Sequence, residues 1–357
     1  MRCGWTIAVA AATAVAAVAV LVLVLGLGSG GAAASPAESF LARYVDAEGR
    51  VVRIDQGGDT VSEGQAYAML LAAAEGDAAT FARVWHWTRA NLQQPDELLA
   101  WHWEDGRVTD PSSAADADLD AAWALLIASR QFEDGGYRAA ALRLAAAILE
   151  HETVEIGGRP VLVAGDWAQS VPAKVDPSYF TPVAFGALER ASGDPRWGEL
   201  SASSREILAQ LTDRPTGLAP DWAVVDADGQ AWATAGPGQA GEAVFGYDAV
   251  RVPLWQAASC EAPDRQLAAR SASFLDEAVA GSPADIYSLD GEPRGGPGGA
   301  PMLVAAAAAS AAAGEDEEAD ESLAQAEAAD EAEPTYYGAV LLALADASLL
   351  PEGALGC

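Results

Sequence analysis

The chain has 357 residues and a formal net charge of −32, with 52 acidic residues against 20 basic ones. Such a balance argues against nucleic acid as a partner and against anionic lipid surfaces, because both are held by clustered Lys and Arg. About 320 residues remain once an N-terminal export segment is set aside, enough for one large domain with a sizeable core. The expected division is therefore residues 1–35 and a body over 36–357.

Residues 7–27 carry no charge, follow Arg2, and lead into a small-residue stretch ending in Ala32, Ala33 and Ala34 before Ser35. Those alanines fit a signal-peptidase site, while an apolar run of about 20 residues is also long enough to stay as a membrane anchor. Both readings put the body outside the cytoplasm, and membrane contact is expected only through this segment. Cys3 falls inside the export portion 1–35, leaving Cys260 and Cys357 either as a disulfide in an oxidising compartment or as free thiols.

From Ser62 onward, helical periodicity recurs over 63–75, 78–92, 117–131, 136–150, 178–191, 197–211, 246–258, 264–279, 300–313 and 336–348, with Gly, Pro and Asp between the stretches. Alternating strand patterns are almost absent. The pattern predicts an all-α domain built from helical hairpins, for which a closed toroid of paired helices is one solution. No solenoid repeat is visible. The acidic tract 314–333 reads as a solvated helix or a mobile insertion, and the Gly-rich 295–299 as a loop with no phosphate-binding context.

Elimination narrows the chemistry. The histidines, His86, His102 and His151, are scattered without zinc-ligand spacing or a Ser-His arrangement, and no dinucleotide or P-loop fingerprint occurs. Neither metal nor cofactor is expected, although acidic loops would hold Ca²⁺ incidentally. What remains is carboxylates among aromatics. Tryptophans at 85, 87, 101, 103, 123, 167, 197, 222, 232 and 255 suit sugar rings, whose C–H faces are apolar, and equally suit a core.

Three segments concentrate the acids. In the first, Thr60 to Leu70, Ser62 and Gln65 have capping-box spacing, which puts Glu63 in the first turn of a helix. There it is an ordinary dipole-friendly acid, unless burial and a second carboxylate outweigh the dipole and keep it protonated as a general acid. The second segment passes from Asp110 into an apolar helix through Asp116, Asp118 and Asp120, too densely placed for all three to be core. It reads otherwise as an over-capped helix start. The third, Phe245 to Trp255, sets Asp248 and Arg251 at i,i+3, which alone is a surface ion pair.

Together, Val61–Tyr67, Ala114–Leu126, Asp176–Pro182, Gly217–Trp222, Tyr247–Arg251 and Tyr336–Ala345, in this order, resemble glycoside hydrolase family 8, the bacterial cellulase and endoglucanase family. The resemblance covers nearly the whole chain after about residue 40. It implies a barrel of six helical hairpins, (α/α)6, with a substrate cleft across one end, acting on a β-linked polysaccharide by inversion. Glu63 matches the family's proton donor, Asp248 the general base, and Asp116 the carboxylate that contacts the sugar at the point of cleavage. Tyr247 and Arg251 match the neighbours that hold the base. Trp101 resembles a sugar-stacking platform and Tyr179 a substrate-contacting tyrosine.

Ala115 stands where the family pattern has Ser or Thr, and Ala121 where it has Ile or Met; neither change removes a reacting group. The smaller Ala121 would loosen packing unless a neighbour fills the space. An inverting pair needs carboxyls roughly 6.5–9.5 Å apart, against about 5–5.5 Å for a retaining pair. The expected function is an inverting endo-β-1,4-glucanase. The rivals are the same fold acting on chitosan, xylan or mixed-linkage β-glucan, an inactive glycan-binding module beside a synthase, and a helical toroid of unrelated chemistry.

Overall fold

The computed structural model describes residues 34–349 and 354–356. The expected export segment 7–27 lies outside them, as does Cys357. Cys260 is disulfide-bonded. Among the described residues no helix is long and apolar enough to cross a membrane.

Six helices form a closed inner ring: α2 (Ser62–Ala74), α4 (Ala115–Gln131), α6 (Pro182–Ser192), α8 (Arg251–Ala257), α11 (Ala300–Ala313) and α13 (Tyr336–Leu349). Each packs on the next, and α13 packs back on α2. Most inner helices, α11 and α13 above all, are apolar nearly all round, which is the pattern of a helix buried on every side. Their alanines let the backbones approach closely. The outer layer is α3 (Ala78–Asn91), α5 (Gly135–His151), α7 (Arg196–Leu211), α9 (Ala262–Ala268), α10 (Ala272–Gly281) and α12 (Asp316–Ala332). The first helix, α1 (Pro36–Tyr44), closes the seam between α13 and α2. There Phe40 and Tyr44 meet Tyr336 at ring-centroid distances of 5.8 and 5.6 Å. The acidic tract is a helix, α12, lying on α11 through Ala319, Ser322 and Ala326 with its charges outward.

The structure departs from the expected elements where proline and short strands intervene. The stretch 178–191 divides into a 3-10 turn, Pro177–Tyr179, and α6, which starts at Pro182 because a proline fits the first helical position and holds Thr181 extended. The stretch 264–279 breaks into α9, a 3-10 turn and α10. Only 251–257 of the stretch 246–258 is helical, so Asp248 stands on the turn before α8.

Short antiparallel strands decorate the helix connections. They are β1 (Thr60–Val61), β2 (His102–Glu104), β3 (Arg107–Asp110), β4 (Thr153–Ile156), β5 (Arg159–Leu162), β6 (Ala173–Val175), β7 (Trp222–Val225), β8 (Ala231–Thr234), β9 (Val244–Phe245) and β10 (Tyr287–Ser288). They pair as β1-β2-β3, β4-β5, β6-β7-β8 and β10-β9. Runs of two to four residues are too short to show alternation in a sequence.

Candidate active site

The N-terminal ends of the inner helices gather at one mouth of the ring. There Glu63, Asp248, Val250, Arg251, Tyr336 and Tyr337 line a cavity of about 840 Å³. Asp116, in the first turn of α4, and Ser178, just before α6, reach the same point through Arg251. Converging helix N-termini present a positive field that suits a cluster of carboxylates.

Arg251 is the hub, with a side chain only 3% exposed. Its Nη1 donates to Glu63 Oε1, to the Tyr67 hydroxyl at 3.2 Å and to Asp116 Oδ2 at 3.3 Å. Its Nη2 donates to Ser178 Oγ at 2.8 Å and to Asp248 Oδ1 at 3.1 Å, with Asp176 Oδ2 at 4.0 Å. One planar guanidinium therefore fixes the three carboxylates singled out in the sequence, from positions 63, 116 and 248; a point charge would not hold such a fork. Glu63 is also gripped by the Tyr67 hydroxyl, which donates at 2.9 Å, so it is neither unpaired nor freely exposed. Gly64 beside it is required, since a Cβ there would run into the Tyr336 hydroxyl.

Burial, offset by Arg251 and reinforced by Glu63, pushes the Asp116 carboxyl up to about 7. Desolvation by the cleft walls raises Asp248 too; Arg251 opposes this and Glu63 adds to it. The Asp248 carboxyl is still 37% exposed to the open cleft, so the desolvation comes from its flanks and not from full enclosure. Trp222 Nε1 donates to Asp248 Oδ2 at 3.2 Å. The turn that carries Asp248 is held from below, where Asp221 Oδ1 accepts from Gly246 N at 2.8 Å and from Ala249 N at 2.9 Å. A Cβ on Gly246 would come within 2.7 Å of Asp221 Oδ2, which explains the glycine.

Aromatic rings flank the carboxylates. Trp101, 37% exposed, stands beside Glu63, for its carbonyl accepts from Ser62 N. Its ring stacks on His102 at 4.8 Å, and its indole N–H holds the Asp110 carboxyl below the usual range. His102 is in turn fixed by Asp59 at 2.8 Å and by Thr109 at 2.6 Å. Tyr179 lies against Arg251, whose Cζ is 5.6 Å from the ring. Tyr247, half exposed, lines the cavity, but it does not bond the Asp248 carboxylate: its hydroxyl donates to Asp285 Oδ2 at 2.8 Å and its carbonyl accepts from Tyr337. Of the two neighbours expected to hold the base, Arg251 does so by a side-chain bond and Tyr247 does not.

Two local expectations are corrected. Ser62 and Gln65 make no capping box. The helix has no side-chain cap, Ser62 Oγ is buried without a partner, and Gln65 turns inward to accept from Val51 N at 2.5 Å and donate to Thr88 Oγ1 at 2.8 Å. Asp116, Asp118 and Asp120 are all buried, against the expectation that so dense a run could not be core. Burial first, then carboxyl neighbours, pushes Asp118 and Asp120 well above the usual range, which favours the neutral form that an interior tolerates. Ala115 and Ala121 are fully buried within α4. Sequence reasoning did not single out Tyr67, Asp221, Trp222 or Ser178, although they lie within the segments quoted for the resemblance. Among the described residues no group of three or more His, Cys, Asp or Glu could hold a metal ion.

The family model described as glycosyl hydrolases family 8 matches residues 11–347. An endoglucanase of Pseudomonas fluorescens (strain SBW25) is 30% identical over 337 residues, covering 85% of this chain and 84% of that protein. An endoglucanase of Cellulomonas uda is 30% identical over 224 residues, covering 61% of each, so the chain spans less than two thirds of that relative. Among solved structures, an endo-β-1,4-glucanase from Acetobacter xylinum superposes with a TM-score of 0.74 at 28% identity, covering 87% of this chain and 97% of the other.

Proposed function

Because the chain belongs to glycosyl hydrolase family 8, we propose that it hydrolyses internal β-1,4 bonds of a glucan with inversion, using Glu63 as general acid and Asp248 as general base. The observation that carries this reading is the shared grip of Arg251 on both carboxylates at the mouth of the ring. Held on different nitrogens of one guanidinium, the two face the same open cavity, and the inverting assignment requires their carboxyls to stand roughly 6.5–9.5 Å apart with the sugar and the attacking water between them.

In the reaction Glu63 gives its proton to the leaving glycosidic oxygen. Asp248 takes a proton from the water that attacks the anomeric carbon on the opposite face, and Asp116 bonds the ring at that point. The C–O bond to the leaving sugar breaks as the bond to water forms, so the new reducing end has the α configuration. A raised Asp248 suits this role, because a stronger base accepts the water proton more readily. Trp101, Tyr179 and Tyr247 supply faces and hydroxyls for the chain. Such a substrate lies outside cells, which fits export through residues 7–27, by cleavage or as an anchor.

Reducing-end release, with a viscosity drop faster than sugar release, is expected from carboxymethyl cellulose and not from chitosan or xylan. Release only from one of the latter would move the substrate assignment within the family. No release from any polymer would favour a binding module.

A further inference from the structure

Beneath the reacting residues lies a second acidic pair that the mechanism does not use. Asp118, on α4, and Glu152, at the C-terminal end of α5, are both fully buried, close enough for their carboxyls to share a hydrogen bond. Asp118 Oδ2 and Glu152 Oε2 are buried and find no N–H or O–H donor. Two ionised carboxylates are acceptors only, so this contact requires a proton between them.

The outer oxygens of the pair are spent on the loops at the cleft edge. Asp118 Oδ1 accepts from Leu99 N at 2.9 Å, two residues before Trp101. Glu152 Oε1 accepts from Ser113 Oγ at 2.6 Å. Ser113 in turn is locked to the turn carrying Trp167: its Oγ accepts from Asp166 N at 2.9 Å, its N donates to Asp166 Oδ1 at 3.2 Å, and its carbonyl accepts from Trp167 Nε1 at 3.2 Å. The packing there admits nothing larger, since a Cβ on Gly165 would meet Trp167 Nε1 at 2.7 Å. Trp101 flanks Glu63, whereas Trp167, 40% exposed, lies 6.3 Å from Trp222, the residue that bonds Asp248.

We propose that Asp118 and Glu152 form a proton-sharing clamp that fixes Trp101 and Trp167 on the two flanks of the cleft and thereby sets KM for the polysaccharide chain. Both are positioning residues, for neither touches the reacting groups. The KM part of this inference rests on the glucanase reading; the clamp itself does not.

Charge around the pair sharpens the consequence. Burial pushes both carboxyls up, and the charged groups that add to this are Asp116, on the same helix, and Asp166, on the Trp167 turn, both acidic. A raised carboxyl keeps its proton below its folded pKa and loses it as pH rises through that value. The clamp is therefore closed at neutral pH and opens on the alkaline side, where two buried anions repel.

Glu152→Gln and Asp118→Asn put an N–H donor across the pair, a bond that survives ionisation of the remaining carboxyl, while Glu152→Ala breaks it. With wild type, KM is expected to rise on the alkaline side while kcat changes far less, and both amide variants should abolish that rise. Glu152→Ala should raise KM at neutral pH by about tenfold, the order of one lost stacking contact. Intrinsic tryptophan fluorescence without substrate gives a second readout: an alkaline transition in wild type that is missing from the amide variants. A wild type that cleaves no polymer would defeat the glucanase reading and leave fluorescence to decide the clamp. Identical KM profiles and identical fluorescence transitions in wild type and both amide variants would overturn the clamp, whether or not the alanine variant folds.

Discussion

Glu63→Gln and Asp248→Asn each lower kcat on a β-1,4-glucan by on the order of 10²–10⁴-fold, the usual span for losing a positioned acid or base. In the first variant the new side-chain amide oxygen would still accept the bonds that Tyr67 and Arg251 donate to Glu63. In the second, the amide oxygen would still accept from Arg251 as Asp248 does, and the one bond lost, from Trp222 Nε1, lies at a side chain open to the cleft. KM and melting temperature therefore stay close to wild type, which separates lost chemistry from lost structure. The pH profile adds a sign. Asp248 must be ionised to act, and its carboxyl is raised, so activity falls as pH drops through a value above the ordinary carboxylate range. Near-wild-type kcat in either variant would remove that residue from its role.

Arg251→Ala is expected to lower both stability and activity more than any other single change in the cleft. The side chain is buried, and it compensates Glu63, Asp116 and Asp248 while sitting near Asp176. Removing one partner of a buried ionic cluster costs about 3–5 kcal/mol because the remaining charges stay desolvated and unpaired. Protonation relieves that repulsion. Asp116 and Asp248 already have raised pKa values with Arg251 present, and losing the cation raises them further. The difference in melting temperature between wild type and variant should accordingly widen from mildly acidic to neutral pH. Arg251→Lys should fall between the two in stability and still lose activity, since an ammonium reaches one carboxylate where the guanidinium reaches three. Thermal melts across pH check this, and a variant that melts like wild type at neutral pH would contradict it.

How far the sequence carried this picture follows from the physics of each element. The inner helices α2, α4, α11 and α13 were legible because long apolar stretches with helical spacing leave few alternatives. Glu63, Asp116 and Asp248 stood out only as an ordered set of motifs, each being an ordinary helix-start acid by itself. What joins them, the fork of Arg251, is a contact between residues 188 positions apart and leaves no trace in local spacing. The capping-box reading of Ser62 and Gln65 failed because tertiary partners, Val51 N and Thr88, claimed the glutamine. The density of Asp116, Asp118 and Asp120 misled for a related reason. Acids are assumed to be charged in a sequence, and burial can make them neutral. The short strands at the helix connections, which position Trp222 and hold Trp101 beside Glu63, are below the length at which alternation can be read.

Inversion requires Glu63 and Asp248 to act from opposite faces of one sugar with water between them. The most direct measurement is the proton NMR spectrum of the reaction in its first minutes, before mutarotation blurs the products of a β-linked cello-oligosaccharide. The α-anomer is expected to appear first, with the β-anomer growing in later. An initial β-anomer would mean retention, and with it a nucleophilic carboxylate in place of the water that Asp248 is assigned to activate.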